Sequence, residues 1–158
     1  MKQKIKTYVI SILIALGIGG LSAFVTRNSM DIYNDISTPP LSPPMILFPI
    51  VWGILFLLMG ISAAMIYLTE TSPLWQRKSA LYTYALSLIV NFFWSIIFFN
   101  FRAFLFAFIW LLLLLFLVIR TIMKYHKIYP LAAYLQIPYA LWVGFAGYLT
   151  FGIWILYR

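Results

Sequence analysis

The sequence predicts an all-α membrane protein: a bundle of five transmembrane helices, one domain over residues 1–158, with a long first loop acting as a lid. Three observations predict it. Of 158 residues 65% are apolar and only 9% charged, where a soluble domain carries roughly a quarter charged. Five apolar segments reach the length, about 20 residues, that a helix needs to cross a bilayer core. The first two segments are separated by "TPPLSPPMILFPIVW", residues 38–52, which holds five of the eight prolines.

The first span, residues 8–25, follows Lys2, Lys4 and Lys6. It is long for the apolar region of a signal peptide, although "GGLSA" at 19–23 leaves cleavage there as the alternative. The connection over 26–44 is long enough to be functional or disordered. Pro39, Pro40, Pro43 and Pro44 restrict φ along it, which favours an ordered lid over one mouth of the bundle, with a stiff spacer as the other reading. Pro44 is expected to open the second span, residues 45–68, at its first position, and Pro49 to bend it one turn later. The third, fourth and fifth spans cover 79–100, 103–123 and 131–157. Their connections are short, so successive helices are antiparallel neighbours. Pro138 is expected to free the carbonyl of Tyr134 and kink the fifth span, opening interior space.

Charge orients the bundle. An N-terminus inside places Lys2, Lys4, Lys6, Arg77, Lys78, Arg120, Lys124 and Lys127 on one side. Arg27, Arg102 and Arg158 fall on the other. The excess of Lys and Arg marks the inner side, so the first loop and the C-terminus are expected outside. The net charge of +8 is then a topology signal in contact with lipid, and nucleic acid is not a partner.

The residue inventory excludes several chemistries. Cysteine is absent, and the acids are Asp31, Asp35 and Glu70, each in a connection. The one histidine, His126, reads as a solvated residue of the connection before the fifth span. No metal site, Ser-His-Asp device or axial haem ligand is expected. A proton- or sodium-coupled transporter lacks its intramembrane carboxylate, and no ring of charges suggests a channel.

Aromatics make up 20% of the chain, with six tryptophans. Interfacial belts account for Trp75, Trp110 and Trp154. Three helical stripes fit that reading less well: Trp52, Phe56 and Met59 on the second span; Asn91, Ser95 and Phe98 on the third, with Trp94 adjacent; Trp142, Ala146 and Leu149 on the fifth, with Phe145 at the edge. Core packing explains such spacing equally well. Asn91 shifts the balance, because an amide in hydrocarbon must face the interior and find a partner. The indole N–H of Trp52 or Trp142 is the expected neighbour. Apolar walls with few polar groups describe a ligand pocket, and flat aromatic walls favour a flat apolar ligand.

The stretches "PPLSPPMILFPIVWGILFLLMG", "NFFWSIIFF" and "IPYALWVGFAGYL" resemble the signature blocks of the translocator protein family, also called tryptophan-rich sensory proteins or peripheral benzodiazepine receptors. The resemblance covers about 32–151, with its blocks on the second, third and fifth spans. It implies a five-helix bundle, often a homodimer, binding porphyrins, sterols and synthetic aromatic ligands beneath the first loop. The implied pocket positions are Trp52, Phe56, Asn91, Ser95, Phe98, Trp142, Ala146 and Leu149, with Tyr33 and Pro43 reaching in from the lid; Trp94 and Phe145 join them from the stripes. No cofactor is required, and protoporphyrin IX or haem enters as ligand. Where the family often carries Asn after the Leu of its last block, this chain has Thr150. The cholesterol pattern expected near the C-terminus fails in "ILYR", while its mirror form matches at Arg77-Tyr82-Leu86 and Arg120-Tyr125-Leu131.

The leading expectation is a membrane receptor for porphyrin-like tetrapyrroles. The alternatives are light- and oxygen-dependent porphyrin degradation, with Trp52 or Trp142 as electron donor, and a small transporter of tetrapyrroles or sterols. Ser79, Thr83 and Ser87 set small residues along one face of the third span, which suits either a homodimer or packing within the bundle.

Overall fold

In lipid every backbone N–H and C=O must be satisfied within the chain, and only helices do this segment by segment. The computed structural model, which describes residues 2–28, 40, 44 and 46–157, resolves the apolar runs into five such helices: α1 (Lys2–Thr26), α2 (Leu47–Tyr67), α3 (Leu74–Ser95), α4 (Phe104–Ile128) and α5 (Pro130–Tyr157). A π-helical turn, Ile96–Asn100, extends α3. All five are long and apolar enough to cross a membrane. Most of the first loop, expected to act as a lid, lies outside the described residues, Tyr33 and Pro43 included.

Around the bundle α1 packs on α2, α2 on α5, α5 on α4, α4 on α3, and α3 returns to α1. The interior is filled by side chains such as Met59, Ile66, Leu111, Leu114, Tyr125 and Tyr139, all inaccessible or nearly so. One contact brings backbone against backbone. A Cβ added to Gly60 of α2 would lie 2.6 Å from the Cα of Ile12 on α1. The Ser11 hydroxyl donates to the Gly60 carbonyl across the same seam at 2.7 Å.

The connections explain where the sequence-based bounds shift. Pro44 does not open α2. The helix begins at Leu47, whose N–H donates to the Pro44 carbonyl at 3.0 Å. Pro49 therefore falls in the first turn, where a missing N–H leaves no intrahelical bond unmade and there is no preceding helix to bend. Arg77 clasps the turn after α2, its Nη1 donating to the Tyr67 carbonyl at 2.7 Å and its Nε to the Ser72 carbonyl at 3.1 Å. These bonds satisfy carbonyls that a helix end leaves open. Between the π-helical turn and α4, Arg102 adopts a left-handed backbone with φ 52°. For a residue with a Cβ that conformation costs about 1–2 kcal/mol, and it reverses the chain within residues 101–103.

His126 is not in a connection. α4 runs through the basic stretch to Ile128, which puts His126 in its last turn, exposed, with its ring 6.1 Å from that of Tyr134. Cations favour a helix C-terminus, which is why the helix continues through these residues. Trp110 is also not a free belt residue: it is half-buried, and its indole donates to the Val90 carbonyl of α3 at 2.7 Å. Tyr125, one of the mirror-pattern tyrosines, is fully buried and so is not available to a sterol in the bilayer. The stripe of small residues on α3 is engaged within the bundle. Lys124 of α4 donates to Ser79 Oγ and Thr83 Oγ1, and buried Ser87 donates to the Tyr84 carbonyl.

Candidate functional site

The helix ring does not close everywhere. A cavity of about 410 Å³ lies among α1, α2, α3 and α5. Nine sequence-predicted residues meet on its wall: Trp52 and Phe56 from α2, Asn91, Trp94 and Ser95 from α3, Phe98 from the π-helical turn, and Trp142, Ala146 and Leu149 from α5. The helical period brings each stripe to one side, and the ring order aims three stripes at one void.

Phe145 is not on that wall. It follows Trp142 by three residues and is half-buried beside the stripe. There it packs on Trp142 at 5.5 Å between ring centroids and stacks on Tyr148 at 6.1 Å. It buttresses the indole from behind. The Tyr148 hydroxyl in turn donates to the Pro40 carbonyl at 2.7 Å, tying α5 to the one described residue of the first loop's proline run before Pro44.

The aromatic walls are held in place by one another. Trp52 meets Trp142 edge-on, with centroids 6.5 Å apart and an interplanar angle of 87°. Trp52 also contacts Phe56 at 5.6 Å and Tyr139 at 6.2 Å. Trp94 stacks on Phe98 at 5.2 Å. Such pairs are worth about 0.5–1.5 kcal/mol each beyond their area, so the rings are oriented before anything enters.

The polar groups are few. The partner of Asn91 is neither Trp52 nor Trp142. Its Nδ2 donates to the hydroxyl of Tyr139 at 3.1 Å, a buried bond between α3 and α5. Tyr139 lies deeper than the stripe because it precedes Trp142 by three residues, with Gln136 one turn before it bonding to Ser62 of α2 at 2.7 Å. Two donors on the cavity wall have no partner: the indole N–H groups of Trp94 and Trp142 are both buried and unbonded among the described residues. A buried N–H without an acceptor costs about 1–3 kcal/mol.

Sequence reasoning left α1 out of the site entirely. Leu16, Gly19, Gly20, Ser22 and Ala23 form its wall of the cavity, joined by Phe48, Pro49 and Gly53 at the start of α2 and by Thr150 of α5. The available signal was the run of glycines at 17, 19 and 20, which leaves one face of α1 without side chains. At Gly19 this is required, because an added Cβ would lie 2.6 Å from the Phe56 ring. Gly19→Ala is therefore expected to push Phe56 off its rotamer into the void and shrink it. A xenon- or dye-accessible volume equal to that of the unmodified protein would contradict this placement.

Among the described residues no carboxylate or imidazole lines the cavity, and none form a cluster that could hold a metal ion. The described walls can bind by stacking and by shape.

Comparison with known proteins places this geometry in context. A family model described as "TspO/MBR family" matches residues 9–155. The chain is 31% identical over 157 residues to the "Tryptophan-rich protein TspO" of Chlorobaculum tepidum, covering 97% of each chain. It is 34% identical over 150 residues to the protein of that name from Archaeoglobus fulgidus, covering 94% of this chain and 95% of the other. It is also 33% identical over 145 residues to the "Translocator protein" of Bos taurus, covering 91% and 85%.

Proposed function

The chain belongs to the TspO/MBR family, and from that premise we propose that it is a membrane receptor for a flat, apolar, porphyrin-like tetrapyrrole bound in the cavity among α1, α2, α3 and α5. One observation carries the reading. The void has the size of a small-molecule site, for which roughly 300–1,000 Å³ is usual, and its walls are mostly indole and phenyl rings and aliphatic side chains. Planar rings stack on the aromatic walls. The guest's carboxylates stay toward the end of the bundle where Arg27 follows α1 and Arg102 precedes α4. Arg27 already lies over the Phe24 ring, with its guanidinium carbon 3.9 Å from the centroid.

The test is a titration of purified full-length protein with protoporphyrin IX, followed by the shift of the porphyrin absorbance band. Trp52→Phe combined with Trp142→Phe removes two indole faces and their N–H groups while keeping an aromatic ring at each position. Affinity is expected to fall by about 1–3 kcal/mol, the scale of stacking contributions. Equal affinity in the double variant would remove the cavity as the binding site.

A further inference from the structure

Lys124 is a half-buried ammonium between α3 and α4, and its described partners are both neutral. Its Nζ donates to Ser79 Oγ at 3.0 Å and Thr83 Oγ1 at 2.8 Å. The Thr83 hydroxyl spends its own proton on the Ser79 carbonyl at 3.1 Å, so it meets the lysine purely as an acceptor. Hydroxyls orient a charge but do not neutralise it.

The neighbours make the imbalance worse. Arg120 and Lys127 lie at i−4 and i+3 from Lys124, on the same face of α4, and both are exposed. Lys78 precedes Ser79 on α3. Arg77, on that same turn, is committed to the Tyr67 and Ser72 carbonyls. His126 turns to Tyr134. The one acid among the described residues is Glu70, exposed in the turn between α2 and α3. Like charges spaced one turn apart repel, yet the helix carries three of them on one face with no acid opposite among the described residues.

Depth identifies what answers them. Arg120 lies eight residues before Ile128, about 12 Å in from the helix end at 1.5 Å per residue, within the span that crosses the membrane. A long Arg side chain near the end of such a helix snorkels to the headgroup layer, where lipid phosphates lie. Immediately beyond the cations both helices turn apolar side chains outward, Leu86 and Ile89 on α3 and Leu113 and Phe116 on α4, where acyl chains run. Basic pockets between transmembrane helices are a recognised form of anionic-lipid site.

We propose that the groove between α3 and α4 at the N-terminal end of the bundle binds the headgroup of a net-anionic phospholipid, with Lys124 as its preset cation and Arg120 and Lys127 closing on the phosphate. The bound lipid ties the basic end of α4 to α3. The site is independent of the aromatic cavity, which lies nearer the other end of the bundle.

The test uses the full chain reconstituted in phosphatidylcholine with spin-labelled phosphatidylglycerol or phosphatidylcholine, read as the immobilised fraction of each label. The expected result is several-fold selectivity for phosphatidylglycerol. Arg120→Gln with Lys127→Gln, two exposed side chains, should abolish that selectivity, since one cation near the surface contributes roughly fivefold. Lys2, Lys4 and Lys6→Gln should leave it unchanged. Selectivity kept in the first variant, or lost in the second, overturns the proposal. So does full competition by millimolar inorganic phosphate, which would mean a site for a free anion. Lys124→Gln should act in the same direction as the first variant. Because it also cuts the link to Ser79 and Thr83, its thermal unfolding is recorded, and if it unfolds the double variant decides.

Discussion

Gly60→Ala is expected to destabilise the bundle by about 3 kcal/mol, the upper end of what overpacking costs. A new methyl at this position meets the Cα of Ile12 at 2.6 Å, with the Ile12 backbone nitrogen at 3.0 Å. A side chain in the way could rotate aside. A helix backbone has no such freedom, so α1 must move outward as a unit. Moving it also stretches the 2.7 Å bond from Ser11 to the Gly60 carbonyl. Much of α1 faces away from the other helices, so this seam carries a large share of its attachment. The expected sign is a lowered unfolding midpoint in detergent, together with faster labelling of a cysteine introduced at Ser11, which the cysteine-free background makes unambiguous. A midpoint and labelling rate matching the unmodified protein would mean that α1 and α2 are not in contact here.

Gly53→Phe is expected to act in the opposite way, sparing the fold and abolishing the guest. Gly53 lies seven residues earlier on the same helix, and a Cβ there meets nothing within 4 Å. It borders the cavity. Replacing a helical glycine also recovers about 0.5–1 kcal/mol of backbone entropy. The phenyl ring then occupies the volume a planar guest would use. A tetrapyrrole should lose roughly a hundredfold in affinity, equivalent to about 2.7 kcal/mol, with an unfolding midpoint equal to or above the native one. Retained affinity would place the binding site elsewhere. Lowered stability would mean that the void beside Gly53 is filled in the folded protein.

The contrast between these two glycines shows how much of this protein can be read from residues alone. Both stand in the same apolar run, "IVWGILFLLMGIS", and nothing in composition or period separates them. One is a contact that tolerates no atom, the other the edge of an open space. The stripes through Trp52, Asn91 and Trp142 were legible because helical period is a property of one segment. Leu16, Gly19 and Ala23 were not, because α1 carries no polar or aromatic stripe, and a run of glycines does not say what it faces. The partner of Asn91 was misassigned for a related reason. Sequence demands that the amide find a partner, but several polar groups on α5 were candidates, and the rotation of that helix selects Tyr139 over Trp142. His126 was misplaced because a basic run reads as a loop, while its position on α4 is set by a helix end that welcomes cations.

Apolar length and the scarcity of charge determined, without any structure, that this is a five-span α-helical membrane protein, since a continuous apolar run of about 20 residues satisfies its own backbone hydrogen bonds in a bilayer as a helix. Only the tertiary structure decided which faces meet, how near α1 comes to α2, where the ring of helices stays open, and that Lys124 turns between α3 and α4. Those outcomes depend on each helix's rotation about its axis and its distance from its neighbours. Both are set by a few close contacts between segments far apart in the chain, such as Gly60 on Ile12 and Asn91 on Tyr139, and one segment's hydropathy does not encode them.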